Sequence, residues 1–77
     1  MDIANSSNPK WTDIVTGKLT YQFKFLGAKI LLGHLLITTK NDSSPETIKK
    51  CATDLRELFH RNTKLPSVQE DLKKIFG

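Results

Sequence analysis

The sequence predicts an all-α fold, a compact bundle of about four helices: two short, one long and central, one amphipathic. Three observations predict it. Each of the three prolines, Pro9, Pro45 and Pro66, stands where a helix can begin, because proline's missing N–H and fixed φ cost nothing at the first helical position. Apolar residues recur at spacings of three and four, the period of one helix face. The segments between these runs are short, which favours antiparallel neighbours.

Residues 1–8 are small and polar and are expected to form a flexible lead-in to a single domain over 9–77. Asn8 reads as an N-cap for a helix over 9–16 that stops at Gly17, with Trp11, Ile14 and Val15 as its packed face. Residues 18–40 carry two patterns at once. Leu19, Tyr21, Phe23 and Phe25 alternate with other residues as in a strand, yet Leu19, Phe23, Leu26, Ile30, Gly33 and Ile37 recur at helical spacing. At about 100° per residue, Lys18, Gln22, Lys29 and Lys40 gather on one narrow polar stripe, and that stripe favours one long central helix. The alternative is an α+β fold with a hairpin at 19–38, whose turn, Leu26-Gly27-Ala28-Lys29, would be a weak one. Inside the helix, Gly27 and Gly33 would cost roughly 1 kcal/mol each and are expected to mark close contacts between helices.

The stretch KNDSSPE breaks the pattern, with Ser44 as N-cap and Pro45 opening a third helix. That helix is cleanly amphipathic: Ile48, Cys51, Ala52, Leu55, Leu58 and Phe59 form one stripe. Glu57 and Arg61 sit four apart in the favourable order, and Asn62 ends the element. Pro66 then opens a last helix to Phe76, in which Ser67 and Glu70 have capping-box spacing and Val68, Leu72, Ile75 and Phe76 supply the buried side.

At 77 residues the chain sits near the lower limit for a self-sufficient core, which at this size yields roughly 3 to 5 kcal/mol. Cys51 is its one cysteine, so a disulfide cannot support the fold, and a free thiol fits a reducing compartment. One cysteine and two histidines far apart do not resemble a zinc site, and neither a metal nor a cofactor is expected. Association with a second copy or another protein is the remaining support. The amino terminus lacks a basic segment followed by an apolar one, and the longest apolar stretch, 25–37, is interrupted by Lys29 and His34 and falls short of the roughly 18 residues a membrane span needs. The expectation is a soluble, cytoplasmic protein without a membrane span.

The residue pattern also argues against catalysis. Cys51 and His60, nine apart on one helix, fall on opposite faces, and Cys51 lies on the apolar stripe as a buried thiol would. His34 has no carboxylate in its segment to orient it, so it reads as a packing residue. The acid pairs Asp54 with Glu57 and Glu70 with Asp71 have structural reasons to exist: the first pair on a solvent face, the second in the first turn of a helix, where it suits the macrodipole. The isolated glycines form no phosphate loop, and TGKLT lacks the upstream glycine. No small-molecule substrate is expected.

What remains is a small, non-enzymatic helical module for protein–protein contact or regulation, with self-association as one form of that contact. The residues expected to meet the partner are Tyr21, Phe25, Leu32 and Leu36, on or beside the lysine edge of the central helix and rimmed by Lys18 and Lys29. The net charge of +4 supports a second reading, nucleic-acid binding by a helix-turn-helix-like carboxy-terminal pair. There His60, Arg61, Lys64, Lys73 and Lys74 would meet phosphates. Against it, the reading end of the last helix carries Glu70 and Asp71, which phosphate repels.

Overall fold

A computed structural model describes residues 9–19 and 21–76. The expectations for residues 1–8, including the Asn8 cap, lie outside these. Four helices follow in order: α1, Pro9–Val15; α2, Leu26–Asn41; α3, Pro45–Arg61; α4, Pro66–Phe76. The described residues contain no strand, which removes the hairpin alternative and leaves the all-α bundle.

Helix α1 ends as its sequence requires. Gly17 adopts φ 77°, a left-handed conformation that glycine enters without a side-chain clash. The turn is closed by Gly17 N–H donating to the Ile14 carbonyl at 3.1 Å and Lys18 N–H to that of Asp13 at 2.8 Å. Trp11, Ile14 and Val15 are all buried, the face expected of them.

Helix α3 is the hub. Ser44 caps it, its Oγ accepting from Thr47 N–H at 3.4 Å, while Asp42 accepts from Ser44 N–H and from the Thr47 hydroxyl. Asn62 closes the other end, donating its backbone N–H to Phe59 and its side-chain amide to Leu58. Cys51, Ala52, Leu55 and Phe59 are buried, and α3 packs against both α1 and α2. Around Phe59 the rings of Trp11, Phe23 and Phe25 stand at centroid distances of 5.2, 5.3 and 6.1 Å, within the range where tilted aromatic pairs attract.

The long central helix is shorter than the sequence predicts. Residues 18–25 are not helical where they are described, and α2 starts at Leu26. The reason lies on α4. Asp71, fully buried, accepts hydrogen bonds from the Tyr21 hydroxyl at 2.6 Å, Lys24 N–H at 2.9 Å and Phe25 N–H at 3.0 Å. A helix continuing through 18–25 would commit the Lys24 and Phe25 N–H groups to carbonyls four residues back. The carboxylate takes them instead, in charge-assisted bonds roughly twice as strong as neutral ones. The segment thus becomes a strap that buries Phe23 and packs Tyr21 edge-on against it, centroids 5.0 Å apart.

Helix α4 corrects a second expectation. It begins at Pro66, so Ser67 lies inside it and does not cap it, and no acid stands in its first turn. Glu70 is exposed and pairs with Lys24 at 3.1 Å, whereas Asp71 faces the core. The far end of α4 meets α1, where Phe76 packs on Trp11 at 5.3 Å and the Lys10 ammonium donates to the Ile75 carbonyl.

The glycines of α2 depart from expectation too. A Cβ on Gly27 would stand 2.9 Å from the Phe25 ring, so this glycine makes room for the strap, not for another helix. At Gly33 a Cβ would meet nothing within 4 Å.

Two stability outcomes follow. Asp71→Ala leaves two part-buried backbone donors and a phenol without their acceptor and is expected to cost about 3 kcal/mol, most of what a core this size provides, whereas Asp71→Asn keeps an acceptor and loses less; urea titration followed by circular dichroism measures both. Gly33→Ala removes a helix-interior glycine without a clash and is expected to add roughly 1 kcal/mol, read as a higher urea midpoint with an unchanged slope.

Candidate functional site: the outer face of α2

Helix α2 is apolar on two opposite arcs. Ala28, Leu35 and Thr39 are buried, and Leu31 and Leu32 are partly buried against the core. On the opposite side, Leu26, Ile30 and Ile37 are 65%, 56% and 62% exposed. With Gly33 they occupy spacings of four, three and four, an arc of roughly 60° at 100° per residue, and so form a ridge of aliphatic side chains in solvent. Lys29, Leu36 and Lys40 lie along one flank of the ridge, all exposed; His34, Thr38 and Asn41 lie along the other, exposed as well.

This arrangement differs from the sequence reading. The stripe Leu26, Ile30, Gly33, Ile37, whose helical spacing supports the central helix, is the outer face. His34, expected to pack, is exposed, and its carbonyl accepts the Thr38 hydroxyl of the next turn. The periodicity was real but could not say which arc faced inwards, because both carry apolar residues at helical spacing.

The residues predicted to meet a partner divide accordingly. Phe25 is partly buried against Phe59 and Tyr21 is tied to Asp71; both lie on the strap, not on the helix. Leu32 is half-buried, while Leu36, Lys18 and Lys29 are exposed. Tyr21, Leu32 and Leu36 nonetheless come together, lining one open groove with Leu19. Tyr21, Leu32 and Lys29 line a second, and Lys18, Leu36 and Lys40 a third, at the carboxy-terminal end of α2. Phe25 lines none of these three. The grooves thus run beside the ridge, with lysines at their edges.

The nucleic-acid residues fall elsewhere. His60 and Arg61 occupy the last turn of α3, and Lys73 and Lys74 that of α4, where cations offset the helix dipole. Lys64 is exposed on the link between them, and Arg61 engages Glu57 at 3.6 Å.

Other reactive groups lie apart from the ridge. Cys51 is buried, and burial first, then the Asp54 carboxylate, pushes its thiol above its ordinary pKa, with Lys50 opposing. That is the setting of an inert thiol. Arg56, which the sequence reading missed, is buried, and its Nη1 and the Trp11 Nε1 find no hydrogen-bond partner among the described residues. No group of three or more His, Cys, Asp and Glu side chains among the described residues could hold a metal ion, and no described helix is long and apolar enough to cross a membrane.

Comparison with protein-family models, with curated proteins and with solved structures finds no match to this chain.

The strap beneath the grooves responds to alkali. Burial first, then the hydrogen bond to Asp71 and the charges of Asp71 and Glu70, raise the Tyr21 phenol well above its ordinary 10.0. The folded state therefore holds this proton more tightly than the unfolded chain. The resulting stabilisation is whole below about pH 10 and is lost as pH rises beyond it. In urea titrations across that range, the wild-type midpoint is expected to fall more steeply than that of Tyr21→Phe, which itself starts about 1 kcal/mol lower; parallel curves would contradict the assignment.

Proposed function

We propose that this chain is a small, non-enzymatic helical module that works by contact with another protein, and that the contact is made by the outer face of α2. The single observation that carries the reading is the ridge. Three large aliphatic side chains, each more than half exposed, stand in line on a helix whose other side is already packed. Lone exposed aliphatics need no explanation, but three aligned on one arc beside grooves form the kind of apolar patch that marks an interaction surface.

Magnitudes support a contact wider than the ridge. Covering Leu26, Ile30 and Ile37 gains on the order of 1 to 2 kcal/mol apiece. That only matches the lower end, about 4 kcal/mol, of what association costs in lost freedom. The grooves lined by Leu19, Tyr21, Leu32 and Leu36 and the lysines Lys18 and Lys29 supply the remainder, so most of the expected partner residues join the contact from beside the ridge. Phe25 acts from beneath it, by holding the strap.

The test is site-specific photocrosslinking in the native cell. A crosslinker at position 37 is expected to give discrete protein adducts, to this chain or another, that Ile30→Asp removes; a crosslinker at position 73 is expected to give none. Nucleic-acid adducts from position 73, with none from 37, would replace this reading by phosphate binding through His60, Arg61, Lys64, Lys73 and Lys74.

A further inference from the structure

We infer that the partner of the α2 face is an acidic amphipathic helix, laid along Leu26, Ile30 and Ile37 with its carboxylates over Lys29 and Lys40. The inference rests on the contact reading above and adds to it the chemistry of the occupant.

Charge is the first argument. From Ile14 to Asn41 the chain carries Lys18, Lys24, Lys29 and Lys40 and no carboxylate. Lys24 is engaged by Glu70. Lys18, Lys29 and Lys40 are exposed and make no ion pair among the described residues. The ridge is therefore bordered on one side by cations that nothing on its own helix neutralises, and a complementary surface brings acids to that side.

Shape is the second. Gly33 interrupts the ridge between Ile30 and Ile37, and the space above it is open. One side chain of a crossing helix fits this notch, as ridges of one helix fit grooves of another. Beside the ridge, the groove lined by Leu19, Tyr21, Leu32 and Leu36 takes a second apolar side chain. Lys18 and Lys40 line the groove beyond, within reach of an acid one turn further on.

Other occupants fit less well. In an antiparallel pair of α2 helices, two-fold symmetry puts Lys29 and Lys40 of both copies along the same edge of the seam with no acid to meet them, and each copy brings a net charge of +4. An anionic bilayer would be met by cations on both flanks of an interfacial helix, whereas the far flank holds His34, Thr38 and Asn41; a bilayer also has no use for the notch.

The test selects a displayed library of helix-forming peptides, randomised at their surface positions, on the full chain. Ile30→Asp and the double variant Lys29→Glu with Lys40→Glu serve as controls, each shown by circular dichroism to keep its fold; all three positions are exposed. Enriched peptides are expected to carry apolar residues at spacings of three and four and an excess of Asp and Glu. They should lose at least about tenfold in affinity on Ile30→Asp and on the charge reversal, as central and charge-paired contacts do. Neutral or basic peptides that still require Ile30 would overturn the acidic partner and leave the contact reading standing. Peptides that bind Ile30→Asp equally well would remove both. The acidic partner also falls if no peptide is enriched, if the chain forms a dimer that Ile30→Asp dissociates, or if phosphatidylglycerol vesicles bind it through Ile30.

Discussion

One buried carboxylate decides where the second helix of this protein begins. Asp71, on α4, accepts the Tyr21 hydroxyl and the backbone N–H groups of Lys24 and Phe25, donors that a continuous helix would have spent on its own carbonyls. Three donors satisfy the carboxylate, as a buried charge requires. In exchange the carboxylate fixes the strap that seats Phe23 in the core and Phe25 against Phe59. Phe25 is also the N-cap residue of α2 and has no side-chain cap of its own. The start of α2 is thus set by a residue forty-six positions away.

The starting point of α2 bears on what the helix shows to solvent. Held at Phe25, the helix lays Ala28, Leu35 and Thr39 on the core formed with α1 and α3. It turns Leu26, Ile30 and Ile37 outwards. The same helix then has a packed face and an unpacked apolar face, with the cations gathered at one edge between them. A bundle of this size has too few helices to cover every apolar arc, and the uncovered one becomes the surface on which the functional reading rests.

Legibility in the sequence followed the range of the forces involved. Local signals were readable: Ser44 with Pro45, Asn62, Gly17 and the one-sided stripes of α1, α3 and α4 all mark their elements, because caps and amphipathic faces act within a turn or two. The strap was not, since the donors that end the helical pattern pair with an acid on another element, and Asp71 itself looked like an ordinary helix acid. The ridge was illegible for a different reason. On a helix apolar nearly all round, spacing identifies arcs but not which of them faces in. The usable signal was an excess: α2 carries three more large aliphatics than one buried face needs, in a stretch free of carboxylates from Ile14 to Asn41. Leu32, Leu36, Lys18 and Lys29 lie beside the outward ridge, along the lysine edge that the spacing marks, whereas Phe25 belongs to the strap and precedes the helix on which its spacing sets it.

The most direct measurement of this account is amide hydrogen exchange, residue by residue, at Lys24 and Phe25. If Asp71 holds the strap, these two N–H groups open only when the whole domain unfolds, and their exchange free energies match the global stability obtained from urea. Exchange at the rate of an open loop, with Asp71 present and the rest of the core protected, would contradict it.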